Sequence, residues 1–232
     1  MTRPILGGRL IMGRSGRDGY QGTIGLAVKS PGDTRLLITA GHVVGAETAR
    51  VYDATPDQKP GVQIGTVFAN YAYSRDGGDF ALVGLLDSVR NQNIEPWTVG
   101  FVGPDGRSTM RRQITSIARS RPRQGAQVMF VGARTGVHVG IVSGVRETFS
   151  FTDEHGKRQR LTDVMILKVK KDDPIPVKQG DSGGPVFYGD DFLGIMTHGT
   201  DIPDKDGYKI VVCTPIEQFA DYISTDISHR WR

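Results

Sequence analysis

A short glycine-rich segment around Ser182 contains residues that could carry out nucleophilic chemistry. It reads Gln-Gly-Asp-Ser-Gly-Gly-Pro-Val over residues 179–186. Glycine at positions 180 and 183 removes Cβ atoms that would block a tight turn or the approach of a substrate. The N–H groups of Gly180 and Ser182 could then form an oxyanion hole, which stabilises charge as it develops on an attacked carbonyl. An ordinary hairpin loop is the alternative, but the motif favours a nucleophilic serine.

His42 follows an apolar segment and could act as the base for that serine. The residues Leu-Ile-Thr-Ala-Gly at 37–41 predict a strand that ends in a turn of small residues. These small residues leave room for an imidazole at a cleft. Histidine has an ordinary pKa of about 6.5, so it can take up a proton and return it near neutral pH. The alternative is a histidine packed in the core beside the strand.

Asp79 could orient His42. It follows two glycines and precedes the apolar run Phe-Ala-Leu-Val at residues 80–83. Taken alone, an acidic residue in this place is more simply a turn former or a strand cap. Its place between His42 and Ser182 gives the chain order His, Asp, Ser, in which such a triad is known to occur. We therefore predict a catalytic triad of His42, Asp79 and Ser182, with the oxyanion hole at Gly180 and Ser182.

These residues are far apart in the chain, and the elements that must position them are predicted to be strands. Short apolar or alternating runs recur between Gly, Pro, Asp and Asn residues, and the 31 glycines suit tight turns and corners. The expected strands fall into two groups, at residues 23–28, 36–39, 49–52, 62–68 and 80–85, and at residues 127–131, 138–145, 163–169, 185–187, 193–196 and 208–212. The pattern favours two β-barrels with a cleft between them.

One helix is predicted, at the C-terminus. Thr214 is a good N-cap, Pro215 suits the first helical position, and Glu217 completes a capping box. Apolar residues then recur at helical spacing, at Ile216, Phe219, Ala220 and Ile223. We expect this helix to pack on the second barrel.

An arginine-rich stretch separates the two groups of strands. It contains Arg107, Arg111, Arg112, Arg119, Arg121 and Arg123. The net charge of +4 and the pI of about 9.2 come in large part from this stretch. We interpret it as a solvated connector rather than a nucleic-acid site, because no aromatic residues alternate with the arginines.

The bulk composition is that of an ordinary globular protein. Hydrophobic residues make up 38% and charged residues 23% of the 232 residues. The sequence has no apolar run long enough for a membrane span and no apolar segment of a signal peptide near its start. Cys213 is the single cysteine, so no internal disulfide can form. We therefore expect a reducing, cytoplasmic location, with secretion after loss of a leader as the alternative. Cys213 itself is expected to be buried and inert.

These motifs together resemble those of trypsin-like serine peptidases of the chymotrypsin superfamily. Within it, the chain is most similar to the bacterial branch of alpha-lytic protease and the streptogrisins. The hairpin Arg-Thr-Gly at residues 134–136 and the run Leu-Gly-Ile-Met-Thr-His-Gly at residues 193–199 resemble segments of that branch. The resemblance implies an all-β fold of two six-stranded antiparallel β-barrels with the active site between them. The N-terminal barrel would span residues 1–105, and residues 106–232 would contain the connector, the second barrel and the helix.

The resemblance also implies a substrate-binding set. It places the specificity pocket and the strand that pairs with substrate at Pro176, Val177, Lys178, Gln179, Met196, Thr197, His198 and Gly199. Pro176 stands where trypsin-like enzymes carry an acidic residue, so we expect a preference for an uncharged residue before the cleaved bond. Lys178 and His198 could instead reward an acidic side chain.

The expected activity is that of a serine endopeptidase, with a polypeptide as substrate and a regulatory or processing role rather than a digestive one. The alternative is a catalytically silent homologue that binds peptide or protein. No cofactor is expected, and no metal, because no His, Cys or Asp cluster has the sequence spacing of metal ligands. Ile5 resembles the activated N-terminus of digestive relatives, but we expect the chain to be active without trimming. In place of an N-terminal ammonium, Arg134 is the candidate partner of Asp181.

Overall fold

The computed structural model describes most of the chain, and almost all of it is β-structure. The described residues are 5–15, 18–32, 34–54, 59–73, 77–90, 94–102, 109–153, 155–170, 177–200 and 203–223. In chain order, the strands are β1 (Ile5–Gly7), β2 (Leu10–Ser15), β3 (Asp18–Thr23), β4 (Leu26–Lys29), β5 (Arg35–Thr39), β6 (Arg50–Ala54), β7 (Pro60–Asn70), β8 (Ala81–Leu85), β9 (Ile94–Val102), β10 (Thr109–Gln113), β11 (Ser116–Ile117), β12 (Gln127–Gly132), β13 (Gly136–Thr152), β14 (Arg158–Lys170), β15 (Pro185–Tyr188), β16 (Asp191–Gly199) and β17 (Tyr208–Pro215). One α-helical turn, α1 (Asp87–Arg90), and three single 3-10 turns, Gly41–Val43, Ile216–Gln218 and Ala220–Tyr222, accompany these strands in the described residues.

The first half of the chain forms a curled sheet of seven strands. Their order is β3-β2-β6-β7-β8-β5-β4, and neighbouring strands are antiparallel. Alternate side chains face inward, as the two-residue period of a strand requires. They form a core that includes Ile11, Leu37 and Val83.

The second half forms a closed barrel. Strands β12, β13, β14, β17, β16 and β15 are hydrogen-bonded in a ring, which the pairing of β16 with β17 closes. Phe130, Leu167 and Met196 are among its fully buried interior residues. The predicted all-β double-barrel class is therefore confirmed, with a seven-stranded half-barrel in front of a closed six-stranded barrel.

A shared core joins the two halves. A third small sheet, β1-β9-β10, contributes Trp97 and Val99 to it, and the first and second halves contribute Leu82 and Phe187 among others. Because this apolar cluster is continuous across the junction, the two halves pack as layers around common buried surface. The sequence patterns did not predict β1, β9 or β10.

The predicted C-terminal helix is wrong in its described part. Thr214 and Pro215 remain in β17, where they pair with Ile195 and Gly194 of β16. The chain then makes two 3-10 turns, and Phe219 between them has φ −132° and ψ 9°, which is not helical. Because Thr214 and Pro215 pair with β16, they do not start a helix as the capping pattern predicted. Residues 224–232 lie outside the described part.

The helical segments of the fold are single turns. Among the described residues, every helical segment is too short and too polar to cross a bilayer.

Three arginines of the connector, Arg111, Arg112 and Arg121, bind acidic residues of neighbouring strands and turns, while Arg107 lies outside the described residues. Arg112 binds Asp190 through Nη2 at 2.7 Å, and Arg111 binds Glu95 at 2.6 Å. Arg121 is nearly buried, with 7% of its side chain exposed, and makes two hydrogen bonds to the Asp163 carboxylate, at 3.0 and 2.7 Å. It also donates to the carbonyl oxygen of Val145. These contacts favour the interpretation of this stretch as a structural connector.

Replacing Arg121 should weaken the fold. Arg121→Met would remove the donor to the Val145 carbonyl oxygen and two hydrogen bonds to the Asp163 carboxylate, which among the described residues would keep only the one from Arg146. We therefore expect a loss of about 1–3 kcal/mol in the free energy of unfolding. Arg123 is exposed, and Arg123→Met should stay within about 0.5 kcal/mol of wild type. Urea denaturation measures both. Equal stability of the two variants would show that the Arg121 contacts do not hold the connector.

Candidate active site

His42 and Asp79 form a doubly hydrogen-bonded pair. The backbone N–H of His42 donates to Asp79 Oδ1 at 3.1 Å, and the ring Nδ1 lies 2.7 Å from Asp79 Oδ2. Both carboxylate oxygens are thus engaged by one residue. This fixes the ring orientation and assigns the Nδ1–H tautomer, because an ionised carboxylate can only accept. The Nε2 atom is then left with a lone pair for proton transfer.

The position of His42 depends on close packing of the turn Gly41–Val43. Asn70, the last residue of β7, donates through Nδ2 to the carbonyl oxygens of Gly41 (3.0 Å) and Gly45. A Cβ atom on Gly41 would lie 2.5 Å from Asn70 Oδ1 and 2.7 Å from the backbone nitrogen of Ala72. Glycine is therefore needed at position 41 because the end of β7 packs against it, in addition to the room that the cleft requires.

Asp79 is completely buried, and both halves hold its segment. Gly77, with φ +89°, accepts a backbone hydrogen bond from Thr162 of the second barrel, and the Thr214 hydroxyl lies 3.5 Å from the Asp79 carbonyl oxygen. Burial by itself raises the pKa of Asp79, but attraction and hydrogen bonding by His42 outweigh it, and the pKa lies below its ordinary value. Asp79 is therefore ionised at neutral pH.

The turn that carries Ser182 is clamped by Thr23. The Thr23 N–H donates to the carbonyl oxygen of Ser182 at 2.7 Å, and its hydroxyl donates to that of Gly180 at 2.7 Å. Thr23 also accepts from the Thr39 hydroxyl (2.8 Å) and, at Oγ1, from the N–H of Ala133 (3.0 Å). One buried residue at the end of β3 thus links the serine turn to both halves.

The glycine after the serine allows this close approach. Gly183 has φ +94°, in the left-handed region that disfavours other residues. A Cβ atom there would lie 2.2 Å from both the Thr23 carbonyl oxygen and Thr39 Oγ1. A tight turn or the approach of a substrate was the predicted reason for Gly183; the structure adds that glycine is needed where the serine turn contacts the first half.

Asp181 is satisfied by hydrogen bonds from neutral groups. Its carboxylate accepts from the backbone N–H groups of Arg134 (2.8 Å), Thr135 (3.2 Å) and Lys178 (2.7 Å) and from the Thr135 hydroxyl (2.8 Å). Arg134 was predicted as a cationic partner of Asp181; the contact observed is instead through its peptide N–H, and its guanidinium donates to Gln21. Ile5 lies in β1 and pairs with Ile94.

The serine turn presents unused N–H groups, but the serine hydroxyl does not point at the histidine. Gly180 has φ +102°, and among the described residues the N–H groups of Gly180 and Ser182 have no hydrogen-bond acceptor. The Ser182 hydroxyl donates to the Thr197 carbonyl oxygen at 3.1 Å. In the described part of the chain, no hydrogen bond joins Ser182 to His42.

An aromatic cluster encloses the histidine–aspartate pair. The rings of Tyr73 and His198 lie 6.1 and 5.1 Å from that of His42, and Phe151, from the end of β13, lies 4.0 Å from His198. Burial lowers the pKa of His198 to about 4; repulsion by His42 acts in the same direction, and Asp79 opposes it. His198 is therefore neutral at physiological pH.

The residues predicted to bind substrate do not all reach the cleft. Thr197 and Met196 are fully buried, and the Met196 side chain lies in the interior of the closed barrel. Gly199 is exposed, and a Cβ atom on it would lie 3.0 Å from the Val177 Cβ, so the walls of the expected pocket nearly touch there. Gln179 is exposed beside the serine turn. Pro176 lies outside the described residues.

The sequence analysis missed four residues that shape this site, Thr23, Asn70, Tyr73 and Phe151. Thr23 ends β3 and Asn70 ends β7. Polar residues are common at strand ends, so neither residue carried a signal. Phe149 and Phe151 alternate in an otherwise polar stretch, and that alternation could have suggested a strand with one apolar face. Cys213 is fully buried, as expected, and burial raises the pKa of its thiol.

Comparison with solved structures shows the same architecture in bacterial serine peptidases. Thermobifida fusca protease A superimposes with a TM-score of 0.66 at 22% identity, covering 96% of this chain and 100% of its own. An alpha-lytic protease homologue gives 0.62 at 21% identity, covering 92% and 94%. A glutamic acid specific serine protease, described as using a histidine triad in substrate binding, gives 0.64 at 21% identity, covering 92% and 95%. At sequence identities this low, the structural similarity establishes the fold and no more.

The family follows from the sequence itself. A search of curated proteins finds no match. The family model named Trypsin, however, matches residues 30–223, which include His42, Asp79 and Ser182. Together with the double-barrel fold, this match shows that the chain belongs to the trypsin family of serine peptidases.

Proposed function

We propose that this peptidase cleaves peptide bonds through an acyl-enzyme on Ser182, with His42 as general base and Asp79 orienting His42. The observation that carries the proposal is the double hydrogen bond from His42 to the buried, ionised Asp79. A carboxylate bound at Nδ1 leaves the lone pair on Nε2, and it stabilises the imidazolium that forms when Nε2 takes a proton.

The reaction proceeds in two halves. Ser182 Oγ attacks the carbonyl carbon of the substrate while its proton moves to His42 Nε2, and the N–H groups of Gly180 and Ser182 receive the resulting oxyanion. The tetrahedral intermediate collapses, the C–N bond breaks, and the departing amine takes the proton from His42. Water then attacks the acyl-enzyme with the same proton transfers, which releases the acid and restores the serine.

The orientation of Ser182 favours the second candidate, a non-catalytic peptide-binding homologue. In that case the hydroxyl would remain on the Thr197 carbonyl oxygen, where it lies at 3.1 Å. Two facts favour catalysis. The contact is a single neutral hydrogen bond, worth about 0.5–1.5 kcal/mol, and catalytic hydrogen bonds are often formed only once substrate is bound. Reactivity of Ser182 separates the two candidates.

We propose a narrow specificity pocket for small, uncharged side chains. Val177 and Gly199 approach so closely that a Cβ atom on Gly199 would lie 3.0–3.2 Å from the Val177 side chain. A bulky residue before the cleaved bond would have to displace Val177. His198 offers an acidic residue no positive charge, because burial lowers its pKa to about 4, and its ring packs against Phe151. The glutamic acid specificity of the structural relative is thus not expected here.

We propose a processing or regulatory role in a reducing compartment. The single cysteine excludes internal disulfides, which small secreted proteins commonly use for stability. A narrow pocket also suits cleavage at few sites. Mapping new N-termini in a cell lysate after incubation with the enzyme would test this role, and indiscriminate cleavage would contradict it.

Ser182→Ala should abolish hydrolysis while the fold remains intact. Removing the nucleophile is expected to lower turnover by about 10⁴–10⁶-fold, because the remaining groups cannot form the acyl-enzyme. A fluorophosphonate should label wild type once per chain and leave the variant unlabelled. Ser143→Ala, remote in β13, serves as the control and should label normally. Absence of labelling in the folded wild type would favour the non-catalytic homologue.

Asp79→Asn should fold but react slowly near neutral pH. The asparagine amide can donate to Nδ1 and so favours the wrong imidazole tautomer, which is expected to reduce kcat by about 10⁴-fold. Steady-state kinetics with a peptide substrate measure the effect. An unchanged kcat would mean that Asp79 acts only as a structural cap and that another group orients His42.

Val177→Gly should broaden the specificity pocket. With matched peptides that carry Ala or Phe before the cleaved bond, we expect wild type to favour Ala in kcat/KM by about 10-fold or more. Removing the Val177 side chain should shift this ratio toward Phe by a similar factor. Val62→Gly, at an exposed position of β7, should keep the wild-type ratio. Strong selection for Arg or Lys by wild type would overturn this model of the pocket.

A further inference from the structure

His198 places a second imidazole on the buried carboxylate of Asp79. Its Nδ1 atom lies 3.8 Å from Asp79 Oδ2, the same oxygen that His42 Nδ1 approaches at 2.7 Å. Nδ1 of His198 is buried and, among the described residues, has no hydrogen-bond partner. A buried polar atom without a partner is rare in folded proteins, and a bound ion is one explanation for it.

The three side chains form a cluster of metal-ligand type. His42, Asp79 and His198 each offer one ligand atom, and these atoms all lie within 4.8 Å of one another. Zinc binds imidazole nitrogen and carboxylate oxygen at about 2.0–2.2 Å, so tetrahedral ligands are about 3.3–3.5 Å apart. The observed separations of 2.7 and 3.8 Å lie on either side of that value. Shifts of less than about 1 Å would therefore bring these atoms into position.

We propose that His42, Asp79 and His198 form a binding site for Zn²⁺, and that an ion bound there switches the peptidase off. Two histidines and one carboxylate are a common protein ligand set for zinc, and water can fill the fourth position. The side chains of His42 and His198 remain 24% and 18% exposed, which gives an ion and its water a route from the cleft. The inhibitory part of the inference rests on the proposed role of His42 as general base.

The inhibition follows from the chemistry of the His42 ring. A neutral imidazole carries one proton, and in the active form that proton is on Nδ1 and is donated to Asp79. When Nδ1 binds zinc, the proton must move to Nε2, because a metal takes the lone pair of an unprotonated nitrogen. Nε2 then has no lone pair to accept the Ser182 proton, and the carboxylate that oriented His42 binds the metal instead.

The surrounding rings keep the ligands near these positions. Phe151 packs against His198 with ring centroids 4.0 Å apart, and Tyr73 stacks on His42 at 6.1 Å with an interplanar angle of 8°. Side chains held by packing lose little freedom when they bind an ion. Positions 42, 79 and 198 have no local metal-ligand spacing in the sequence, so no metal was predicted, and the fold alone brings these side chains together.

Metal binding can be measured without catalysis. The Ser182→Ala enzyme titrated with Co²⁺, which replaces zinc in such sites, should develop visible absorption typical of tetrahedral cobalt at one ion per chain, and Zn²⁺ should displace it. Adding His198→Phe removes the ligand but keeps an aromatic ring against Phe151, and should abolish the spectrum. His198→Gln is the second variant, and circular dichroism confirms folding. His155→Gln, on the exposed β13–β14 turn, is the control and should retain the spectrum.

Inhibition is measured separately on enzyme with Ser182 intact. Zn²⁺ should inhibit wild type reversibly, with recovery on chelation. Each His198 variant, compared with its own zinc-free rate, should need at least 10-fold more zinc for half-inhibition, and His155→Gln should behave as wild type. A missing cobalt spectrum, or one that the His198 variants keep, would overturn the site. Metal binding without inhibition would overturn the switch. If wild type neither hydrolyses peptide nor reacts with fluorophosphonate, the proposed function fails, while the cobalt titration still decides whether the site exists.

Discussion

The active-site geometry depends on the hydrogen bonds of one buried threonine. Thr23 binds the carbonyl oxygens on both sides of Asp181, through its N–H to Ser182 and through its hydroxyl to Gly180. Its own carbonyl oxygen accepts from Thr39, which ends the strand that leads into the His42 turn. Hydrogen bonds to Thr23 therefore hold both the serine turn and the strand that leads into the histidine turn. Thr23 and Thr39 are fully buried, so a slip between the two halves would break these bonds away from solvent. The relative position of the serine turn and the histidine turn is therefore tightly defined.

The site contains two fully buried carboxylates, Asp79 and Asp181, and each is stabilised differently. Asp181 has four donors from peptide groups and a hydroxyl, so its role is to hold the serine turn in shape. Asp79 takes both of its hydrogen bonds from His42, so its charge is coupled to a residue that can gain a proton. A buried charge requires such compensation. Asp181 is bound by groups that do not change their protonation, which suits a structural role. Asp79 is bound by a histidine, which can gain a proton, and this suits a role in catalysis. This arrangement also leaves Asp79 open to a third group, His198.

Most of the β-structure could be predicted from the alternation of apolar residues. The strands expected from that pattern overlap the observed β4 to β8 and β12 to β17, and the double-barrel class was identified correctly. Strands β1, β2 and β9 to β11 were missed. In β9 a proline interrupts the apolar run, and β10 has only one apolar residue, Met110. The terminal helix was predicted from a capping pattern at Thr214 and Pro215, yet those two residues complete the ladder with β16. Local propensity was weaker there than closure of the barrel, as is common where tertiary contacts compete.

The sequence by itself determined the chemical inventory: a serine in a glycine turn, a histidine after small residues, an aspartate before an apolar strand, and their order in the chain. Those features belong to short segments, so their residue types alone carry the signal. Only the tertiary structure decided which groups meet. The pairing of His42 with Asp79, the clamp by Thr23, the near contact of Val177 with Gly199 and the approach of His198 to Asp79 join segments distant in sequence. Such contacts depend on how the two halves pack together and on where the β13–β14 hairpin places Phe151. Residue spacing along the chain predicts neither.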